Sequence, residues 1–293
     1  MLSTPARLAG QIVAAHGRNY LVELGDGALL KCVPRGKSAT LVCGDRVSIA
    51  VTSPGEGVIE ALIPRTTLFH RAATLREKLI AANANQAAVI VAAEPSFSDE
   101  LVARALIAAE IAGMSALLVL NKIDLETQAA LARVRLQPLV RAGYPLVELS
   151  AKASVAPLIP HLLGQTTVMI GQSGMGKSTV INALFPDANA RTDEISRFLD
   201  SGKHTTTHTR LYRLADGSAL IDTPGVQEFG LAHVIRADVA GVMPDIRRFL
   251  GGCRFNNCRH LTEPGCAVTD AVRNGEIDAR RYEIYTRIIS SPV

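Results

Sequence analysis

Two nucleotide-binding motifs stand in an unusual order along this chain. The tetrapeptide Asn121-Lys122-Ile123-Asp124 is typical of a guanine-selecting loop, and it precedes the glycine-rich run at residues 171–178, which is typical of a phosphate-binding loop. In ordinary guanine-nucleotide switches the phosphate loop comes first and the base selector comes near the end. The order therefore predicts a nucleotide-binding fold whose chain has been cut and rejoined at a different point.

The composition sets broad bounds on the kind of protein. The chain has 293 residues, enough for two or three domains, and 48% of them are hydrophobic, which suffices for a packed core. Its net charge of +4 permits an anionic partner without requiring one. Neither a long apolar run nor a signal-peptide core occurs, so we expect a cytoplasmic protein with no membrane partner. We also expect a monomer.

Residues 1–67 contain several short apolar or alternating runs that predict β-strands, separated by turn signals. So many short strands in one small segment favour a barrel of the oligonucleotide-binding (OB) type, which has five strands and suits RNA binding. Basic residues that would lie on or near its loops, where they could meet phosphates, are Lys31, Arg35, Lys37 and Arg46. Ordinary solvated loop charge explains these residues equally well.

Residues 68–235 alternate between predicted strands and helices. Apolar runs that suit buried parallel strands occur at residues 87–92, 116–120 and 167–170. The pattern predicts an α/β domain with a doubly wound, mostly parallel sheet, in which ligands bind at the carboxyl ends of the strands. Because Asn121, Ser150 and Gly171 each follow such a strand, we expect their three motifs at one edge of the sheet.

The run that begins at Gly171 has the spacing of a phosphate-binding loop. Its glycines let the backbone curl so that N–H groups face the β-phosphate, and the N-terminus of the next helix adds positive potential. Lys177 would bridge β- and γ-phosphate oxygens, and the Ser178 hydroxyl would bind Mg²⁺. The residues expected to contact the nucleotide here are Gly171, Gln172, Ser173, Gly174, Met175, Gly176, Lys177, Ser178 and Thr179.

The earlier motif carries the expected base specificity. The Asp124 carboxylate can accept hydrogen bonds from N1–H and the 2-amino group of guanine, a donor pair that adenine lacks, and unmatched polar groups are costly. Asn121 would link the loops and reach the base edge, while the stem of Lys122 covers the ring. A backbone N–H for guanine O6 would come from Ser150-Ala151-Lys152.

A third nucleotide motif follows the phosphate loop. Asp222 ends a predicted strand and would hold Mg²⁺ through water, and the Gly225 N–H would sense the γ-phosphate. A polar segment before that strand is expected to close on Mg²⁺ through a threonine when the γ-phosphate is present. We expect this threonine to be Thr207, although Thr205 and Thr206 remain open alternatives.

The C-terminal segment, residues 236–293, predicts a helical module with a structural zinc ion. In a reducing compartment its clustered thiols suit a metal better than a disulfide, although buried free cysteines remain an alternative. The four candidate ligands, which complete a tetrahedral set, are Cys253, Cys258, His260 and Cys266. Arginines that would form a phosphate-facing patch around them are Arg247, Arg248, Arg254 and Arg259. Cys32 and Cys43 are expected to be core residues.

Taken with the motif order, these residues resemble the RsgA (YjeQ) family of circularly permuted GTPases over nearly the whole chain. The resemblance rests on Asn-Lys-x-Asp, Ser-Ala-Lys, Gly-Gln-Ser-Gly-x-Gly-Lys-Ser, His-Thr-Thr-Thr, Asp-Thr-Pro-Gly and the cysteine-rich end. It implies hydrolysis of GTP to GDP with Mg²⁺, stimulated by the small (30S) ribosomal subunit. It further implies a role in late maturation of that particle, contact with its rRNA, and release on hydrolysis.

One departure from ordinary GTPases affects the expected mechanism. Val226 follows the Asp-Thr-Pro-Gly motif, at a position where many GTPases carry a glutamine that orients the attacking water. Valine cannot orient water, and the neighbouring Gln227 should point elsewhere. We hypothesise that His204 positions the water, with His208 as second choice. An equally good interpretation makes both histidines exposed loop residues.

Two other functions remain open on the sequence. One is a P-loop kinase that uses ATP, against which the guanine-selecting motif argues. The other is a non-hydrolysing, GTP-dependent RNA-binding scaffold, in which the nucleotide serves the fold alone. Stimulation of GTP turnover by ribosomal subunits separates a GTPase from such a scaffold, because a scaffold shows no stimulation.

Overall fold

The first five strands curl into a small barrel. The computed structural model of the chain describes residues 7–36, 40–73, 76–186, 209–224, 229–231 and 234–290. The barrel strands are β1 Arg7–His16, β2 Asn19–Leu24, β3 Leu29–Pro34, β4 Arg46–Ser53 and β5 Glu56–Leu62. They follow the order β1-β2-β3-β5-β4, and β4 also pairs with β1, which closes the barrel. The predicted N-terminal barrel is thereby confirmed.

Alternating side chains fill the barrel interior, as strands with one inward face require. Ile12, Val22, Cys32 and Ile49 are fully buried there. Burial raises the pKa of the Cys32 thiol to about 11, so this cysteine stays protonated and packs as a small apolar residue. Cys43 is also buried, beside the sheet of the next domain. Both cysteines therefore lie in the core, as expected.

A hairpin that the sequence analysis did not predict connects the barrel to the rest of the chain. Its strands, β6 Leu68–Ala73 and β7 Arg76–Ala82, form a two-stranded sheet of their own. Asn83, which has a positive φ of 55°, donates from Nδ2 to Gly44 O at 2.9 Å and accepts from Thr66 N at 2.9 Å. The ring of Phe69 lies 5.7 Å from that of Phe229. These contacts join the barrel, the hairpin and the following domain.

A mostly parallel sheet with helices forms the middle of the chain. Its strands are β8 Gln86–Ala92, β9 Ser115–Asn121, β10 Leu146–Glu148, β11 Thr166–Ile170, β12 Arg210–Arg213 and β13 Ala219–Asp222. They lie in the order β10-β9-β8-β11-β13-β12, and all pairs are parallel except β13–β12. The last strand in this order, β12, also pairs with β1 at Ala14 and Arg210, so barrel and domain share one continuous sheet.

The helices of this domain are α1 Asp99–Ile111, α2 Glu126–Arg141, α3 Ile159–Leu162 and α4 Lys177–Leu184. The Ser98 side chain caps α1 by accepting from Leu101 N at 3.2 Å, which satisfies one of the unpaired N–H groups at the helix start. Helix α4 begins at Lys177, within the phosphate-loop motif, so that the last two motif residues form its first turn. The predicted doubly wound α/β domain is therefore present.

In the part of the chain described after residue 233, four further helices follow: α5 Arg236–Val242, α6 Pro244–Arg247, α7 Ala267–Arg273 and α8 Ala279–Ser290. Val239, Ile246 and Ile284 belong to the same hydrophobic cluster as the central sheet, so this part packs directly on the α/β domain. A buried ion pair joins α6 to α8, because Arg281 donates two hydrogen bonds of 2.9 Å to Asp245. Within the described ranges, every helix is too short or too polar to cross a membrane.

Candidate nucleotide site and metal cluster

The phosphate-loop motif connects the carboxyl end of β11 to α4, at the centre of the sheet. Gly174 and Gly176 have φ angles of 82° and 86°, a region that favours glycine. Space also requires glycine, because a Cβ on Gly176 would lie 2.3 Å from Asn121 Nδ2 and one on Gly171 would lie 2.5 Å from Ile90 O. The loop thus needs glycine where the motif supplies it.

Asn121 joins the three sequence motifs. Its buried side chain donates from Nδ2 to Met175 O in the phosphate loop at 3.0 Å. Its Oδ1 accepts from Lys122 N at 2.8 Å and from Ala151 N, in the Ser-Ala-Lys segment, at 3.0 Å. One amide therefore fixes the relative positions of three loops from different parts of the chain. Motifs that lie far apart along the chain thereby come together at one edge of the sheet.

Lys122 and Asp124 extend from this junction. Lys122 Nζ donates to Glu94 O at 2.7 Å and to Gly174 O at 2.8 Å, which lays its stem across the cavity between two loops. Asp124 is exposed, and a hydrogen bond from the Ser150 side chain lowers the pKa of its carboxyl. This carboxylate is ionised at neutral pH and can accept two hydrogen bonds from a base edge.

Two buried charges face each other at the other end of the cavity. Lys177 is 8% exposed and donates from Nζ to Gly171 O at 2.7 Å, and burial lowers its pKa. Asp222 is 6% exposed, and burial raises its pKa to about 6 although the charge of Lys177 opposes that shift. Buried groups of opposite sign at the sheet edge suit a ligand that carries both phosphates and a cation.

Most of the predicted nucleotide-binding residues line an open cavity of about 800 Å³. The predicted residues that line it are Asn121, Lys122, Asp124, Ser150, Ala151, Lys152, Gln172, Ser173, Gly174, Gly176, Lys177, Ser178, Thr179 and Asp222. Gly171 and Met175 belong to the same loop but contribute packing and a carbonyl acceptor instead. His204, Thr207 and Gly225 lie outside the described residues, as do the alternatives Thr205, Thr206 and His208.

Sequence reasoning missed several residues of this cavity. Glu94 and Pro95 line it, and they follow β8 at the same edge as the three motifs. Their place directly after a buried apolar strand was the signal that could have found them. Thr223 also lines it, and its hydroxyl donates to Met169 O at 2.7 Å, which ties the end of β13 to β11.

The four predicted metal ligands converge in the C-terminal part. The ligand atoms of Cys253, Cys258, His260 and Cys266 all lie within 4.8 Å of one another. Cys253 Sγ lies 3.9 Å from Cys266 Sγ and 3.4 Å from His260 Nδ1. Tetrahedral bonding at usual Zn–S and Zn–N lengths places sulfurs about 3.8 Å apart and sulfur and nitrogen about 3.5 Å apart. The cluster therefore fits one tetrahedral metal ion.

Neighbouring side chains hold the cluster in place. His260 has a positive φ of 58°, and its carbonyl accepts from the Tyr282 hydroxyl of α8 at 2.8 Å. Tyr285, also on α8, donates to Arg259 O at 2.9 Å. Burial lowers the pKa of His260, which favours the neutral imidazole that a metal needs. These outer contacts orient the ligands, as they do around most protein metal sites.

Comparison with known proteins gives consistent results. The sequence profile of the RsgA GTPase family matches residues 62–232. A protein of Nitrosospira multiformis, named small ribosomal subunit biogenesis GTPase RsgA, is 48% identical over 98% of this chain and 92% of its own length. A protein of the same name from Burkholderia pseudomallei is also 48% identical, over 97% of this chain and 92% of its own length.

Two solved structures share the fold. The crystal structure of YjeQ from Thermotoga maritima has a TM-score of 0.76 and 30% identity, covering 97% of this chain and 98% of its own. The structure of YloQ, described as a circularly permuted GTPase, has a TM-score of 0.75 and 27% identity, covering 100% of this chain and 99% of its own. With the permuted motif order, the assembled nucleotide edge and the Cys₃His cluster, these matches show that the chain belongs to the RsgA GTPase family.

Proposed function

We propose that this protein binds GTP in the cavity at the sheet edge and hydrolyses it to GDP and phosphate. Asp124 selects guanine, and the stem of Lys122 covers the ring of the base. The Ser-Ala-Lys segment, residues 150–152, donates a backbone N–H to guanine O6. The phosphate loop, residues 171–179, cradles the phosphates. The observation that carries the proposal is the Asn121 side chain, whose three hydrogen bonds bring these loops together.

Magnesium fits the phosphate end of the same cavity. Ser178 and Asp222 both line it, and a hydroxyl and a carboxylate are ligands that Mg²⁺ prefers. When bound with GTP, an ion held here would supply neutralising charge to the phosphates. We assign Ser178 as a direct ligand, Asp222 as a ligand through water and Thr207 as the ligand that arrives with the γ-phosphate. Lys177 stabilises the transferring phosphoryl group, and Gly225 senses it.

We assign the positioning of the attacking water to His204. Val226 stands where a glutamine orients water in many GTPases, so another side chain must do this work. Full subunit-stimulated turnover by His204→Ala, at unchanged GTP affinity, would contradict the assignment. His208→Ala serves as the matched variant, because it removes a histidine from the same segment.

Zinc is the metal that we assign to the Cys₃His cluster. Three sulfur ligands and one imidazole in near-tetrahedral spacing suit zinc, and four protein ligands indicate a structural ion. We assign three domains to the chain. They are an RNA-binding barrel at residues 1–67, a permuted GTPase domain at 68–235 and a zinc-binding domain at 236–293.

The biological role that we propose is late maturation of the small ribosomal subunit in the cytoplasm. Support comes from the relatives that share 48% identity, whose name describes small ribosomal subunit biogenesis. The protein would act as a monomer, contact rRNA through its barrel and its arginine-bearing zinc domain, and leave the particle on hydrolysis. Its positive net charge favours an anionic partner of this kind.

GTP turnover of the purified protein, measured alone, with small subunits and with large subunits, tests this function. We expect small subunits to stimulate turnover and large subunits to leave it unchanged. Equal turnover in all three mixtures would contradict the proposal and favour the non-hydrolysing scaffold. In parallel, an excess of ATP should not displace fluorescent GDP, and displacement would favour a P-loop kinase.

A further inference from the structure

A short loop at the wall of the nucleotide cavity connects the nucleotide-binding motifs to the C-terminal domain. This segment, residues 94–98, runs from β8 to α1, and we call it the bridging loop. Lys122 Nζ donates to Glu94 O at 2.7 Å, and Ser98 N donates to Gln172 Oε1 of the phosphate loop at 2.8 Å. A Cβ on Gly174 would lie 3.1 Å from Pro95 Cγ, so these two loops also touch.

The other side of the bridging loop is held by Arg135 of α2. Its guanidinium donates to Ser96 Oγ at 2.6 Å, to Phe97 O and to Asp99 Oδ1 at 2.8 Å. The same group lies 4.0 Å from the centroid of the Phe97 ring. A planar guanidinium with several fixed donors is well suited to rigidify a loop in this way. Asp99 is the charged acceptor among these partners, so its position contributes to where this arginine, and with it the loop, is held.

Asp99 is shared between two domains. One carboxylate oxygen pairs with Arg135, and the other forms an ion pair with the Arg280 guanidinium of α8, in the C-terminal part of the chain. Although Arg280 is 55% exposed, the Asp99 side chain is 16% exposed and its Oδ2 atom is shielded from solvent. Removing Arg280 leaves a buried anionic oxygen without this counter-charge, which costs more than losing an exposed ion pair.

We infer that Arg280 is a positioning residue of the GTP site, acting through Asp99 and the bridging loop on Lys122 and Gln172. The inference rests on the proposed GTP binding and adds a contribution from the C-terminal domain to nucleotide affinity. By linkage, bound nucleotide stabilises the attachment of α8 to the same extent, because coupling between two sites is reciprocal. Whatever moves α8, such as docking on a large partner, then changes nucleotide affinity.

The test measures the affinity of the full-length, zinc-loaded protein for fluorescent GDP, and KM and kcat for GTP. For Arg280→Gln we expect the Kd of GDP and the KM of GTP to rise about 5-fold or more, with kcat at saturating GTP unchanged. Arg280→Lys should restore most of the affinity. The matched control is Arg287→Gln, on the same helix, because Arg287 pairs with Glu100 and Glu283 and not with Asp99, the acid that binds Arg135. It should bind GDP within about twofold of wild type.

Equal GDP affinity in Arg280→Gln and Arg287→Gln would overturn the inference. Should Arg280→Gln fail to fold, Asp99→Asn tests the same contact from the other side, and unchanged GDP affinity in that variant would be equally decisive. Hydrogen exchange gives the reciprocal readout, since GDP should slow exchange in residues 279–290 of wild type and do so less in Arg280→Gln. A wild-type protein that binds no GDP would defeat the proposed function instead.

Discussion

Replacing Asp222 by asparagine should stabilise the nucleotide-free protein at neutral pH. Asp222 is buried, and burial raises its pKa to about 6. Below about pH 4 the carboxyl is protonated in both the folded and the unfolded state, so it has no pH-dependent effect. Between about pH 4 and 6 the unfolded state loses its proton first, and stability falls as pH rises. Above about pH 7 the folded carboxyl is ionised as well and the cost is complete, at about 3 kcal/mol for a shift of about two pKa units.

Asparagine at position 222 cannot ionise and so escapes this cost. The attraction of the Lys177 ammonium lowers the pKa of Asp222 and is therefore already included in this cost. The assay is urea unfolding of wild type and Asp222→Asn at pH 5 and pH 7.5, without nucleotide. The stability advantage of the variant should grow by about 1 kcal/mol over that interval, since ionisation of the folded carboxyl is completed within it.

Asp216→Asn is the matched control, an exposed acid in the turn before β13. Hydrogen bonds from Ser218 lower the pKa of the Asp216 carboxyl, so it is ionised in both states above pH 5. Its effect should therefore stay constant between pH 5 and pH 7.5. An advantage of Asp222→Asn that stays flat or shrinks with rising pH would refute the reasoning. The Asp222→Asn variant should also bind GTP with Mg²⁺ more weakly than wild type does, because residues that serve function often lower the stability of the fold.

Three further outcomes are expected. Cys266→Ser should lower the metal content measured by elemental analysis and the melting temperature of the C-terminal part, whereas Cys32→Ser should leave metal content unchanged; equal metal content in both would contradict the cluster assignment. Arg281→Ala should destabilise the protein by about 3–5 kcal/mol in urea unfolding because it leaves buried Asp245 unpaired, while Arg273→Ala, from the exposed pair with Asp270, should cost less than about 1 kcal/mol. Asp124→Ala should raise the Kd of GDP at least about tenfold, and a variant that binds GDP as wild type does would exclude Asp124 as the guanine selector.

Local sequence patterns predicted the part of the fold that places the nucleotide motifs. Continuous apolar runs such as β8 and β9 can be buried on both faces, and a polar residue directly after such a run falls at the edge of a parallel sheet. Asn121 satisfies both conditions, so its place at that edge followed from the sequence. The Cys₃His cluster was equally predictable, because its ligands lie close together in the chain and share one chemistry.

Other features depend on pairings that local patterns do not encode. The strands of the hairpin β6–β7 mix apolar with charged residues, and the position of the hairpin follows from contacts such as Phe69 with Phe229. The bridging loop contains no nucleotide-binding motif. Its hydrogen bonds with Gln172 and Lys122 are seen in the structure and not in the sequence. An ion pair such as Asp99 with Arg280 joins residues far apart in the chain, and either residue alone is an ordinary surface charge.

The permuted order gains a structural meaning from the sheet. Strand β11, which leads into the phosphate loop, lies between β8 and β13, so the motifs occupy neighbouring strand ends although their order along the chain is changed. After the Asp222 strand, the next helices in the described part of the chain are α5 and α6, and the four cluster residues lie between α6 and α7. The bridging loop is the route that we propose between the nucleotide site and the C-terminal domain.

We propose that GTP controls binding of this protein to the small ribosomal subunit. Co-sedimentation of the full-length protein with purified small subunits, in a non-hydrolysable GTP analogue or in GDP, tests it most directly. We predict that the protein sediments with small subunits in the analogue and remains largely in the supernatant in GDP. Equal co-sedimentation in both nucleotides would contradict the account.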